Sequence, residues 1–490
     1  MKKYHDFPGI KTQILKRHKG SVTNMSKMFF GPTTFSQDKV KTTQEKTNQV
    51  STEPHSVSQV LLQSSGGISP LPSSSFTLLP LIKRSLEKLE QLIHREMRAI
   101  GGQEITMPSL VPLSFWKKSG RMSDRENERE IEGVYVVEKQ DLLLAPTHEE
   151  VVTQLVSQSN LSSKHLPLYL YQMTNKFRKE KRPKGGLLRT REFLMKDMYT
   201  FDTDDEAAKK TYMNVCNAYE KLFEKLELPA IKVLADPGSI GGLLSHEFHM
   251  ISDVGEDVIL HCNSCDMNVN TESLKQNIES LKQDTESLKQ DTKSCPNCQA
   301  VLQERKGIEV GHAFLLGDRY SLPFDANYMT TNGKKSLLSM GCFGIGVTRL
   351  LSTCIEVLST DKGMRWPALI APFDVALISP KEGSKEEAVI GGTNGFLKDF
   401  ALEMSRRGRI HVDETPGLDV LFDDRNNLTV GKRDKDHLMR GIPYLVIAGK
   451  SVMEGTNGVM RFEVIRTRDG NKWFLTHEQT LAFLDQVFCS

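Results

Sequence analysis

From Phe177 to Phe193 the chain reads Phe-Arg-Lys-Glu-Lys-Arg-Pro-Lys-Gly-Gly-Leu-Leu-Arg-Thr-Arg-Glu-Phe. Guanidinium forks at Arg178, Arg182, Arg189 and Arg191 can grip phosphate oxygens, the ring of Phe193 offers a face to a base, and Glu180 can accept from a base or amine donor. This inventory suits a nucleotide, although a charged surface hairpin would carry the same residues. A second stretch, Met340-Gly-Cys-Phe-Gly-Ile-Gly-Val-Thr-Arg-Leu-Leu351, sets three glycines ahead of Arg349. Glycines allow close backbone approach to a ligand, and Arg349 falls in the opening turns of the helix expected to follow. The pattern lacks the last glycine of a dinucleotide fingerprint, and tight helix–sheet packing explains it equally well. Cys262/Cys265 and Cys295/Cys298 form two Cys-x-x-Cys pairs, each spaced as in a zinc ribbon, although the 29 residues between the pairs exceed the usual range. Four thiols without metal are the alternative.

The elements that must position these groups follow from periodicity. Ile82, Leu86, Leu89, Ile93 and Met97 recur at steps of three and four, one apolar face of a long helix that Gly101-Gly102 should stop. Glu104 to Pro108 reads as a short strand ended by proline. Strand-like runs over Tyr169–Phe177 and Phe193–Phe201 flank the basic loop, so the loop is the tip of a hairpin. A later module from Ala371 onward alternates strand and helix: Val375–Ile378, Phe396–Met404, Val420–Phe422 and Tyr444–Ile447. Glu-Ser-Leu-Lys-Gln recurs at Glu272, Glu279 and Glu286. One leucine per heptad is half a coiled-coil seam, so a solvated helix or loose insertion is expected there.

With 490 residues, the chain is long enough for two or more domains. Hydrophobic residues at 38% and charged residues at 26% are globular in proportion, and no run reaches the roughly 18 apolar residues of a membrane span. The net charge of +2 excludes a uniformly basic polyanion binder, so any nucleic-acid contact must be local. Eight cysteines are too few for a disulfide scaffold and point to a reducing compartment. Residues 1–37 hold six lysines and an arginine against Asp6 alone, a composition that suits an organellar transit peptide or a basic tail.

Helix, strand and proline over Leu79–Pro108, the arginine hairpin, and the Gly341–Arg349 stretch resemble, in that order, motifs 1, 2 and 3 of class II aminoacyl-tRNA synthetases. Gly67-Ile-Ser-Pro70, Ala145-Pro-Thr-His-Glu-Glu150, Gly186-Leu-Leu-Arg189, Ile240-Gly-Gly242, Ser245-His-Glu-Phe248, Gly307-Ile-Glu-Val-Gly-His312 and Trp366-Pro367 narrow the resemblance to prolyl-tRNA synthetases of the bacterial and mitochondrial type, over residues 57–490. The resemblance implies an α+β catalytic domain on a mixed, mainly antiparallel sheet over 57–370, interrupted by a cysteine-pair and heptad insertion at 262–298. An α/β anticodon-binding domain over 371–490 follows, and 1–56 is expected to be transit peptide and linker.

Implied with it are ATP as substrate, Mg2+ on the phosphates, L-proline and tRNA(Pro) as partners, a homodimer, and the mitochondrial matrix, with the cytoplasm as alternative. Structural Zn2+ on Cys262, Cys265, Cys295 and Cys298 remains an open expectation. The resemblance implies that Arg178 and Arg349 carry the chemistry by neutralising phosphate and carboxylate. Glu180, Arg189 and Phe193 complete the ATP site. Thr147 and Glu149 meet the proline amine, and Met195, Asp197 and His312 line its pocket. Lys432 and Arg433 are expected, on the same resemblance, to contact tRNA. No editing domain is expected between motifs 2 and 3. The chain departs from the family at Lys184-Gly185-Gly186, Thr190, Ala145 and Met122, where Arg-Phe-Gly, Gly, Gly and Trp are usual.

Overall fold

The computed structural model describes residues 21–30, 56–122, 133–137, 140–265, 267–271, 295, 297–360, 363–391, 395–407, 417–453 and 459–489. The heptad segment, Pro296 and residues 1–20 of the basic tail lie outside them.

The larger sheet has nine strands: β1 (Gln103–Glu104), β2 (Leu168–Phe177), β3 (Glu192–Asp202), β4 (Ala230–Leu234), β5 (Leu244–Ile251), β6 (Asp257–Cys262), β7 (Asn268–Asn270), β8 (Leu302–Gly317) and β9 (Ser339–Gly346). Their order is β5-β4-β7-β6-β8-β9-β3-β2-β1, with β5 also pairing β8. Only β1–β2 and β4–β7 are parallel, so the sheet is mixed and mainly antiparallel, as the motifs led us to expect. The first strand is shorter than Glu104–Pro108 suggested, because the Met107 N–H leaves the ladder for the Gln172 side chain just before Pro108.

Helices α1 (Pro80–Ala99), α3 (Asp205–Lys225) and α4 (Val347–Leu358) share one core with the sheet, while α2 (Glu149–Ser157) packs with the strand residues of the other face. All five apolar positions read from α1 are buried. Pro80 occupies its first turn, where a missing N–H costs nothing. At its end Gly101 adopts φ +87° and the Gly102 N–H returns to the Met97 carbonyl at 2.9 Å, the glycine stop read from sequence. Alternation along each strand sends Phe248, Phe343 and Ile345 toward α3, where Tyr212, Tyr219 and Phe223 meet them.

The second unit carries β10 (Val375–Ile378), β11 (Val420–Asp423), β12 (Tyr444–Ile447), β13 (Arg461–Arg466) and β14 (Lys472–Thr476), with helices α5 (Phe396–Ser405) and α6 (Val430–Arg440). β10, β11 and β12 are parallel, and their residues are buried throughout. The sixth strand of this sheet is Val22–Asn24, parallel to β11. Ser21 Oγ donates to Asp419 at 2.8 Å, Ser26 bonds Asp424 through both its N–H and hydroxyl, and Met25 is buried. Residues 21–30, within the 1–56 stretch expected as transit peptide and disordered linker, are thus ordered on this sheet. A three-residue strand has no periodicity to read, and Val22 with the neighbouring Met25 packs on an edge built 398 positions later.

Asp419 also joins the two units, accepting from Arg84 at 2.8 Å and Lys88 at 2.9 Å on α1. Beside it Leu81 of α1 shares an apolar cluster with Met25, Phe373 and Ile442.

Candidate active site

The register of the larger sheet aligns Glu247 with His312, His312 with Gly344, Gly344 with Asp197, and Asp197 with Gln172. Directly opposed residues project to the same face, so these five make one row across the sheet, on the side away from α3. The row has a gap at its centre because Gly344 has no side chain. A methyl there would meet only Met195, at 3.6 Å. Gly341 differs: its added methyl would strike Phe343 and Thr200 at 2.8 Å, so that glycine serves packing.

Asp197 is buried with its carboxylate in use. Lys176 sits 2.7 Å from one oxygen, while Gln172 and Tyr199 donate to the other at 2.9 Å. Tyr199 in turn accepts the His148 N–H at 2.9 Å, fixing the Thr147–Glu149 turn. Asp197 thus acts on the pocket through Tyr199 and Gln172. His148 faces Pro108 O at 2.9 Å and Gln172 at 3.0 Å, and burial lowers its pKa, keeping the ring neutral.

Glu149 opens α2 and is fully buried, where the helix dipole favours a carboxylate. Thr147 Oγ1 donates to it at 2.7 Å and the Cys342 thiol at 3.1 Å. Burial first, then the Glu149 charge, raises the Cys342 pKa well above the ordinary value, so this cysteine is a donor rather than a nucleophile. A further partner escaped the sequence reading. Arg121 reaches Glu149 at 3.3 Å and Glu150 at 3.4 Å, with its guanidinium 4.0 Å from the centre of the Trp116 ring. Burial pushes the Glu150 pKa up to about 7 despite Arg121. Spacing could not reveal Arg121, which comes from a loop 28 residues before Glu149.

Arg178, at the end of β2, is accessible and lies within electrostatic reach of Arg349, Glu309 and Glu149, with its guanidinium 5.1 Å from the Phe193 ring centre. Arg349 in the first turn of α4 donates to the carbonyls of Leu188 at 2.8 Å and Glu309 at 3.0 Å. Two neighbouring guanidiniums make a place for a polyanion. At the hairpin tip Gly185 and Gly186 both take positive φ, and Gly186 backs onto Gln59. A positive φ of this kind favours glycine over any residue with a side chain. Arg189 pairs with Glu180 at 2.7 Å and also with Glu256, so it orients Glu180. Burial would raise the Glu180 pKa, but Arg189 and backbone N–H groups bring it below the ordinary carboxylate value.

Glu247, Glu309 and His312 present donor atoms within 4.8 Å of one another. His312 is 3.1 Å from Glu309 and 2.6 Å from Ser245. Burial opposes ionisation of Glu309, yet His312 and Arg349 hold its carboxyl well below the usual range. Glu309 was legible only as part of a family block, because its role depends on β8 carrying it beside Arg349.

Among the C-terminal cations Lys432 is exposed, but Arg433 is not. Arg433 is fully buried and donates to Ser379 Oγ at 2.9 Å, Ser379 O at 2.6 Å and Asp423 O at 3.2 Å. The expectation that it contacts tRNA is corrected: its donors tie α6 to the ends of β10 and β11. Adjacent residues on a helix point about 100° apart, so Lys432 and Arg433 cannot share a face. The four paired cysteines, far apart in sequence, converge in space.

The family profile of the tRNA synthetase class II core domain (G, H, P, S and T) matches residues 135–358. "Probable proline–tRNA ligase, mitochondrial" of Rattus norvegicus is 43% identical over 99% of this chain and 93% of its own length. The Homo sapiens protein of that name is 43% identical over 94% and 90%, and that of Schizosaccharomyces pombe 38% over 82% and 87%. Prolyl-tRNA synthetase from Cryptosporidium parvum, solved with L-proline and AMP, superposes with a TM-score of 0.65 at 17% identity, covering 88% of this chain and 75% of that one. Sequence likeness over nearly the whole length, with the class II core on the sheet that carries the arginines, makes this chain a member of the prolyl-tRNA synthetase family of mitochondrial type.

Proposed function

We propose that the chain activates L-proline with ATP and transfers it to tRNA(Pro) in the mitochondrial matrix. The observation that carries this reading is the pair Arg178 and Arg349 beside a glycine-floored row, with the Thr147–Glu149 pair beneath. A proline carboxylate oxygen attacks the α-phosphorus of ATP, the bond to pyrophosphate breaks, and prolyl-adenylate forms. A terminal tRNA hydroxyl then attacks the prolyl carbonyl and AMP leaves. The attacking carboxylate is already ionised, so the first step needs alignment and charge neutralisation rather than a base. Arg178 bridges the carboxylate and α-phosphate, and Arg349 meets the γ-phosphate. Phe193 and Glu180 hold adenine, with Arg189 keeping Glu180 in place. Glu149 and Thr147 accept from the secondary ammonium of proline, while Met195, His312 and the Asp197 network shape the pocket.

Magnesium fits the carboxylates of Glu309 and Glu247, which are the oxygen donors a hard cation prefers, with His312 orienting Glu309. When bound it neutralises phosphate charge. A structural zinc ion on the four paired cysteines completes the cofactors. Lys432 supplies a tRNA contact, and two chains assemble as class II relatives do. Wild type should catalyse proline-dependent ATP–pyrophosphate exchange, and Arg178→Ala should lower it by about 100-fold or more. Absence of exchange in wild type, with tRNA binding intact, would sink the enzyme reading.

A further inference from the structure

Cys262 ends β6, Cys265 follows in the adjoining turn, and Cys295 and Cys298 stand just before β8. The two pairs share one backbone closure. The Cys262 N–H bonds the Met267 carbonyl at 2.9 Å, and the Cys295 N–H bonds the Ala300 carbonyl at 2.7 Å, each five residues on. Such paired turns point two sulfurs each toward a common centre. The pairs face each other with Cys262 Sγ 3.4 Å from Cys298 Sγ and Cys265 Sγ 3.6 Å from Cys295 Sγ. All four sulfurs lie within 4.8 Å of one another.

A tetrahedron with metal–sulfur distances of about 2.3 Å has edges of about 3.8 Å, close to this spacing. A disulfide needs sulfurs about 2.05 Å apart, well inside either contact. Burial alone gives this corner little support. Its core consists of Leu260, Cys262, Cys295 and Leu302, with Cys265, Met267 and Ala300 packed beside them. Small cores of this size need a staple.

Building on the cofactor reading above, we infer that the four thiolates form a closed structural zinc site that locks β6 to the start of β8. Cys262 pairs opposite Leu302 in that ladder, so the ion would clamp its outermost rung. The same two strands lead inward to the active site: Glu256, just before β6, holds Arg189 and Lys184 of the hairpin, and β8 carries Glu309 and His312. With all four positions taken by sulfur, the ion has no place for substrate. Each thiol gives up one proton on binding, and no electron moves.

The test is elemental analysis of the full chain purified under reducing conditions, beside Cys262→Ser and Cys295→Ser. One zinc per wild-type chain is expected, falling at least fivefold in each variant. Reconstitution of metal-free protein with cobalt(II) should give the intense visible bands of a tetrahedral thiolate site. Should the variants fail to fold, titration of wild type with a mercurial should release one zinc as four thiols react. Equal zinc in wild type and variants, zinc release uncoupled from those thiols, or disulfides at these positions would overturn the site. Proline-dependent exchange by wild type, measured on the same preparation, separates failure of the zinc site from failure of the synthetase reading.

Discussion

Glu149 and Glu150 are neighbours in one helical turn, yet their surroundings give them different tasks. Glu149 is met by Thr147, Cys342 and Arg121, whereas Glu150 has Ser119 and Arg121 and leaves its second oxygen without a hydrogen bond. On the proposed function, Arg121 is a positioning residue that braces Glu149 for the proline ammonium. Arg121→Lys should raise KM for proline about tenfold or more while changing KM for ATP little, since a lysine cannot fork to both carboxylates. Equal effects on both constants would refute that role. The Glu150 pKa of about 7 also has a stability consequence. Its folded value lies above the unfolded one, so the folded state retains a proton that the unfolded chain releases. Stability should then fall as pH rises from about 4.5 to about 7, by roughly 3 kcal/mol in total. Glu150→Gln should flatten that decline in urea midpoints measured from pH 5 to 8, and an unchanged slope would contradict the assignment.

At the scale of elements, α1 and the arginine hairpin were legible because each obeys a local rule. One shows a helical apolar stripe ended by glycine, the other two strands around a glycine tip. The floor of the site was not legible, because the Glu247–His312–Gly344–Asp197–Gln172 row is assembled by registers among five strands. Arg433 misled for the opposite reason: a charge in a basic run reads as surface until the fold turns it inward. The Val22–Asn24 strand left no local trace at all. Its contribution is directly testable. Removing residues 1–30 should lower the melting temperature by several degrees relative to removing 1–20, since Met25 and the Ser26–Asp424 bonds go with it. Equal melting of both truncations would show that the strand adds nothing.

For the whole molecule, the question is what corrects a mistake. The elements described between β3 and β9 are strands of the main sheet, the helix α3 that covers it, a short helix at Ser321–Phe324 and a small hairpin over Asn327–Leu337. If the proposed synthetase carries no editing domain, as expected, alanine joined to tRNA(Pro) should form, since a pocket sized for proline separates smaller amino acids by only about 1–3 kcal/mol, and should then persist. A deacylation assay with alanyl-tRNA(Pro) checks it: hydrolysis well above the spontaneous rate would reveal an editing activity. The N-terminal strand bears on the molecule as a whole in one more way. A chain made or threaded in order from its N-terminus presents Val22–Asn24 long before Val420–Asp423 exists to receive it. One of the earliest strands to emerge thus cannot pair until β11 arrives, and Val22 and the neighbouring Met25 must wait for their partners until then. Completion of this domain is a closing event, and a loop of nearly the entire chain must shut before its sixth strand is in place.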